Sequence, residues 1–299
     1  MRSLRSRLNA IAAPGVEPPR ADAGANAPRH PHRATHNVRF LRLAIVIPAL
    51  NEADALPRTI EVAREGASSP LELVVSDCGS GDATREVASS LGATVATGGT
   101  CRADALNRGA AVATGDVLLF LHADTRLPSG WDHAVRRCLR DSRIVGGAFD
   151  FSFAGHPLAR GLNRQGLRLV QTLNRGRFRI TGSFYGDQAI FCRRDVFERI
   201  GGFDRIRLLE DARFSRRLGR LGRTAILQPP VKTSPRRFIE RGVYRQLAIN
   251  LAIVIRDLCG LHLDGHAGGY RSLNAGGHVV PAYPPPKVTP PAATAPAAR

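Results

Sequence analysis

The sequence predicts an α/β fold: a doubly wound, mostly parallel sheet flanked by helices and followed by a C-terminal amphipathic helix. Three observations point there. Between Arg42 and about Ser234 short apolar runs alternate with stretches of helical periodicity. Three successive apolar runs end in polar or acidic residues. The chain has 299 residues, 43% hydrophobic and 23% charged, the balance of a packed globular protein. Strands alternating with helices of this length build βαβ units on a parallel sheet.

Each element follows in order. LRLAIVIPA (41–49) reads as a buried strand and DALPRTIEVARE (54–65) as an amphipathic helix. LELVVSD (71–77) is a second strand, and DATREVASSLG (82–92) a helix ended by its glycine. ATVATG (93–98) is a short strand, RADALNRGAAVA (102–113) a helix, and DVLLFLHAD (116–124) a strong strand. VGGAFDFSF (145–153) alternates large and small residues, as a strand with one exposed face does. QAIFCRRDVFERIGGF (188–203) is a strand running into a helix, and LLEDARFSRRLGRLG (208–222) a helix. Residues 237–258, RFIERGVYRQLAINLAIVIRDL, read as one long helix, apolar with arginines interspersed.

The domain expected from this pattern spans 40–240, with a helical segment over 241–270. Residues 1–39 and 271–299 read as disordered tails: both are rich in Pro and Ala and too poor in large apolar residues to offset the entropy of ordering. They also carry much of the excess charge. The net charge is +18, with only Lys232 and Lys287 as lysines; residues 1–39 hold seven arginines against Glu17 and Asp22, and residues 271–299 hold no acid. The start, MRSLRSRLNAIAAPG, has too short an apolar stretch for an export signal, while its arginines keep a transit-peptide reading open. The apolar run LAINLAIVI (247–255) is far short of the roughly 20 residues that cross a bilayer. Five scattered cysteines with no CxxC pair fit reduced thiols in a cytosol and argue against a zinc ribbon or a secreted disulfide framework. The expected location is the cytoplasm, with peripheral contact at the cytoplasmic face of the plasma membrane.

In an open parallel sheet the ligand site lies beyond the carboxyl ends of the strands. Those ends read Pro48–Asn51–Glu52, Asp77–Cys78–Gly79–Ser80 and His122–Ala123–Asp124. Asp54 and Asp82 suit helix N-caps. Asp77 and Asp124 do not, because they precede turns instead of helices.

At these residues the sequence resembles the family 2 glycosyltransferases of GT-A fold, over about residues 42–240. IVIPALNEAD resembles the opening strand and nucleotide loop, VVSDCGSGDAT the second-strand motif and LFLHADTRLP the strand with the metal-binding acid. YGDQAIFCRRDVFERIGGFD resembles the acceptor-side segment, LLEDARFSRRLGRLGR the catalytic-base helix and SPRRF a closing basic-aromatic motif. Within the family the chain is similar to a bacterial branch of small single-domain enzymes with His-Ala-Asp at the metal position.

The resemblance implies metal-dependent, inverting transfer, of the hexosyl class, from a nucleotide-sugar donor. Asp124 is then the ligand of Mg²⁺ or Mn²⁺, and the phosphates and water complete the shell. His122 and Ala123 occupy the donor side of that motif; His122 also reads as a hydrogen-bonded core histidine. By the same resemblance Asp77 accepts from the base, Glu52 lies near the ribose, and Pro48, Asn51 and Ser80 belong to the nucleotide loops. Arg102 and Asn107 fall near base and phosphate. Arg236 and Arg237 reach the diphosphate with planar guanidinium forks. Asp211 is the base that takes the acceptor proton, with Glu210 an acceptor-binding neighbour. Asp187 and Gln188 of YGDQ are further acceptor-side residues, and Asp187 is the next candidate base. A surface salt-bridge pair with Arg207, Arg213 or Arg216 is the other reading of Glu210 and Asp211.

The acceptor expected is lipid-like, such as a carotenoid acid or polyprenyl compound, or else a small molecule. The arginine-flanked 237–258 helix suits an anionic membrane surface, and packing on the domain or in a homodimer is the alternative. Two other functions compete. A basic nucleic-acid binder accounts for +18, yet no helix-turn-helix, zinc-finger or RNP-like pattern is present. A nucleotidylyltransferase needs a Gly-rich phosphate loop after the first strand, and PALNEAD supplies none.

Overall fold

A computed structural model describes residues 41–99, 101–206 and 208–258. The expectations placed on 1–39, 259–270 and 271–299 lie outside those residues. The first half alternates strand and helix: β1 (Leu43–Ala49), α1 (Leu56–Glu65), β2 (Glu72–Asp77), α2 (Thr84–Ser90), β3 (Thr94–Thr97), α3 (Arg102–Val112), β4 (Val117–Phe120). Then come β5 (Thr125–Arg126), α4 (Trp131–Cys138), β6 (Ile144–Phe153), α5 (Gly161–Thr181), β7 (Ile190–Arg193), α6 (Arg194–Ile200), α7 (Glu210–Leu221), β8 (Arg223–Thr233), α8 (Arg236–Arg241) and α9 (Val243–Leu258).

The strands form one sheet in the order β3-β2-β1-β4-β7-β6-β8-β5. The β3-β2-β1-β4 run is parallel, β7 pairs antiparallel to β4 and β6, and β8 runs parallel to β6. Strand β1 explains the layering. Leu43, Ile45 and Ile47 join the cluster that holds α1 and α4 through Leu56, Ile60, Trp131 and Val135. Ala44 and Val46, pointing the other way, join the cluster that holds α3, α6 and α7 through Leu106, Phe197, Phe214 and Leu218. The period of two thus buries a continuous apolar run on both faces. The one tryptophan, Trp131, is fully enclosed and donates from Nε1 to the Ala63 carbonyl at 2.9 Å.

Two expectations are corrected here. The long helix over 237–258 is two helices, α8 and α9, because Gly242 between them takes φ +81°, outside helical geometry. Strand β6 is buried on both faces from Val145 to Phe151, since helices cover each side, instead of exposing one. The 21-residue α5 had no counterpart in the sequence reading.

Among the described residues no helix is long and apolar enough to cross a membrane. Helix α9 packs instead on the domain: Val243 joins the core, and Ile253 and Ile249 join Leu208, Leu209, Ala212 and Tyr185.

Candidate active site

The parallel register sets Ala49 opposite Asp77 and so brings the ends of β1 and β2 to one edge. There the loops bind each other. Asn51, held at φ +54°, donates its N–H to Ser80 Oγ at 2.9 Å and accepts the Gly81 N–H on Oδ1 at 2.8 Å. Ser80 Oγ donates to Asp77, whose carboxylate also accepts the Gly79 and Ser80 N–H groups at 3.1 Å. The Glu52 N–H donates to Thr84 Oγ1 at 2.9 Å. Asp77 is thus a buried organiser of the turn, 1% exposed. Pro48 lies opposite Ser76 on the same edge. Asp82 accepts the Thr84 N–H ahead of α2, but the residue at the α2 cap position is Ala83 and no side chain caps that end, so Asp82 is not the N-cap. Asp54 does not cap: the residue at the α1 cap position is Ala55, and no side chain caps that end.

Beyond this turn the carboxylates gather. Burial and then the charge of Asp124 push the Glu52 carboxyl up to about 7, against the pull of Arg236 and Arg237. Burial raises Asp124, and Arg237 and Arg236 oppose it. Asp187, in the short turn Gly186–Gln188, is raised by burial while Arg177 lowers it and Asp124 raises it further. Asp124 therefore acts on an acid from the loop after β1 and on one from the acceptor-side turn. Ala123 is buried, and its carbonyl accepts the Thr59 hydroxyl at 2.6 Å. Burial keeps His122 neutral, with Arg102 and Arg237 acting in the same direction.

The acidic pair is not on the surface. Glu210 is 1% exposed and Asp211 5%, at the first turn of α7. Asp211 accepts the Gly186 N–H on Oδ2 and the Ala212 N–H on Oδ1, both at 2.7 Å. Arg102, from the start of α3, bonds Glu210 through Nε and lies 3.6 Å from Asp211 Oδ2. The salt-bridge reading is therefore corrected in both place and partner: the cation is Arg102, and the pair is buried because α7 packs its first turn under Gly186. Burial, then Glu210, push the Asp211 carboxyl up to about 6, while Arg102 and the two backbone donors pull it down. A methyl group on Gly186 would sit 2.4 Å from His122 Nε2 and 3.3 Å from Asp211 Oδ2, so only glycine lets the three groups meet. Arg102, His122, Gly186, Glu210 and Asp211 line one narrow pocket backed by Phe120 and Phe203.

Two sequence-predicted residues are spent on structure. Asn107 exchanges bonds with the Phe203 backbone in both directions at 2.8 Å. Gln188 donates to the Phe149 carbonyl and accepts the Tyr185 N–H. One group was missed: the Arg177 guanidinium of α5 lies 3.5 Å over the Tyr185 ring, in the field of Asp187 and Asp211. Its only signal was an arginine among many.

Among the described residues no three His, Cys, Asp or Glu side chains converge as a closed metal cage. The site instead offers buried oxygens from single acids, with arginines beside them. That donor set suits a hard divalent cation that takes one or two protein oxygens and completes its shell from phosphate and water.

The family model described as Glycosyl transferase family 2 matches residues 44–201. No curated protein sequence matches. Among solved structures, S. aureus TarS aligns at 14% identity with a TM-score of 0.50 over 70% of this chain. Its residues 1–349 align at 14% with a TM-score of 0.51 over 68%. The chain spans 39% and 64% of those two structures. Glucosyl-3-phosphoglycerate synthase from Mycobacterium tuberculosis, solved with Mn²⁺, UDP and glucosyl-3-phosphoglycerate, gives 18% identity over 79% of this chain and 88% of its own, with a TM-score of 0.49. At these identities the likeness is one of fold.

Proposed function

The chain belongs to glycosyl transferase family 2, and on that premise we propose that it moves a hexose from a nucleotide-sugar donor to an acceptor hydroxyl with inversion. The observation that carries the reading is Asp211, a carboxylate enclosed in the cleft with its proton affinity raised to about 6. A base needs both features, since it must be near the acceptor and poised to accept a proton close to working pH.

Asp211 takes the proton of the acceptor hydroxyl as that oxygen attacks the anomeric carbon from the face opposite the leaving diphosphate. The Gly186 and Ala212 N–H groups fix its carboxylate, so the accepting lone pair does not have to be organised during the reaction. Glu210 holds Arg102 and sets the charge around the base. Arg236 and Arg237 sit at the start of α8, close enough to act on Glu52 and Asp124; they bind the diphosphate. The Asn51–Ser80–Asp77 turn shapes the nucleoside end.

Asp124 is the proposed protein ligand of Mg²⁺ or Mn²⁺, with Glu52 and Asp187 within its field. When bound, the cation neutralises charge that develops on the departing diphosphate.

For the acceptor we propose a lipid-like molecule. The cluster of Leu208, Leu209, Ala212, Ile249 and Ile253 with Tyr185 beside Asp211 is itself buried and seats α9, and the exposed Leu251 and Ile255 of that helix are where a hydrocarbon portion finds contact. A donor screen tests the whole reading: purified protein is given UDP-, GDP- and dTDP-sugars with and without Mn²⁺. Metal-dependent hydrolysis of at least one is expected, and hydrolysis of none under any metal overturns it.

A further inference from the structure

Helices α5 and α9 run side by side and leave the wrong kind of surface outward. Their starts are joined: the Tyr244 hydroxyl donates to the Leu162 carbonyl at 3.4 Å, and Gly166 lies against Val243 and Tyr244. Farther along, Arg177 of α5 lies over the Tyr185 ring, and Tyr185 and Ile249 of α9 pack against one buried cluster. Along α5 the side chains of Leu162, Leu169 and Leu173 are 71%, 42% and 47% exposed. Along α9, Tyr244, Leu251 and Ile255 are 49%, 54% and 51% exposed. Both triplets have the spacing i, i+7, i+11, so each forms a single stripe about 16 Å long. Meanwhile Gln246 of α9 is buried at 1% exposure. An apolar face turned to water while a polar side chain is enclosed inverts the usual amphipathic arrangement.

Charge completes the pattern. Helix α5 contains arginines and no acid; its Arg164 and Arg168 are exposed about 120–160° around the helix from the leucine stripe, while Arg175 is held by Asp150 at 2.8 Å. On α9 Arg245 is exposed, and the one acid, Asp257, is bound to Arg216 of α7. We propose that the α5–α9 face docks on an anionic lipid bilayer, the leucine stripes entering the headgroup boundary and the arginines pairing with lipid phosphates. A second copy of this chain suits the face poorly, because a two-fold contact would oppose arginine to arginine. Residues 271–299 carry basic residues and no acid, so they too meet like charge there. Docking through α5 and α9 brings the membrane to the two helices that enclose Tyr185, next to the turn whose Gly186 N–H bonds Asp211. That consequence rests on the glycosyltransferase reading above; the docking itself does not.

The test is co-sedimentation of the full chain with phosphatidylcholine vesicles and with vesicles that also contain phosphatidylglycerol, at low and high salt. Binding to the anionic vesicles is expected, weakened by salt, with each basic residue at the surface worth about fivefold. Leu169→Glu with Leu173→Glu, and separately Leu251→Glu, should each cut it at least about tenfold. These side chains are already in water, so folding is expected to persist and is checked by the melting temperature. Three results overturn the proposal: no binding to anionic vesicles, binding untouched by the leucine variants (which assigns it to the basic termini), or a dimer in light scattering that Leu251→Glu dissolves. Nucleoside-diphosphate affinity, measured by calorimetry on the same samples, reports separately on the glycosyltransferase reading.

Discussion

Asp211 combines two demands that usually conflict, since a buried carboxylate resists charge and a base must carry it. Two backbone donors and Arg102 reduce that conflict without removing it, which leaves the carboxyl near 6. Transfer should therefore rise with pH up to about 6 and then level, in a rate profile at saturating donor. Stability runs the other way. The folded value lies above the unfolded one of about 3.9, so the folded state holds the extra proton between those limits and loses stability as pH climbs from about 4 to about 6. Asp211→Asn should remove that slope from pH-dependent denaturation and slow transfer by about 10²–10⁴-fold, or ~3–5 kcal/mol, while nucleoside-diphosphate affinity stays as it was. Glu210→Gln should be milder. If neither substitution slows transfer, the base is elsewhere and Asp187 is the next to replace. For Asp124 the readout is binding: Asp124→Ala should abolish the Mn²⁺ dependence of nucleotide affinity in calorimetry. It should also lower the Glu52 carboxyl from about 7, as followed by carboxyl NMR, because the charge of Asp124 adds to burial in raising it.

At the scale of elements, the turn Gly186–Gln188 joins the two halves of the site, and its tolerance is small. Gly186→Ala drives a methyl into His122 Nε2; we expect a stability loss of about 1–3 kcal/mol in urea denaturation and a larger proportional loss of transfer. The parallel half of the sheet was legible from sequence because β1, β2 and β4 are runs of apolar residues bounded by helices with clear periodicity. The rest was hidden for separate reasons. Helix α5 spreads its leucines on an outward face among arginines, which no core-seeking pattern recognises. Strand β8 carries Pro229 and Pro230, residues that argue against a strand inside a sheet. In the site, the strand-end acids Asp77 and Asp124 could be read directly. The contact of Arg102 with Glu210 could not, since 108 positions separate them and only the fold brings α3 to α7. The break at Gly242 was hidden because glycine is tolerated inside many helical patterns; Gly242→Ala should cost about 1–3 kcal/mol by forcing φ +81° on a residue with a side chain.

For the molecule as a whole, the sheet with helices on both faces is enough to make the site. Every residue given a functional role above lies between Pro48 and Asp257. A chain trimmed to residues 40–270 should therefore keep its melting temperature and its donor hydrolysis, because the removed ends are too poor in large apolar residues to add a core. A lower melting temperature on trimming would mean that an end packs on the domain. All of these comparisons need to know whether each variant is folded, and the chain carries its own gauge. Trp131 is the sole tryptophan, sealed at 0% exposure in the layer of α1 and α4 and tied to the Ala63 carbonyl. Its emission in the native state should be short in wavelength and should move red only when that layer opens, so a single fluorophore reports intactness in every variant without any label.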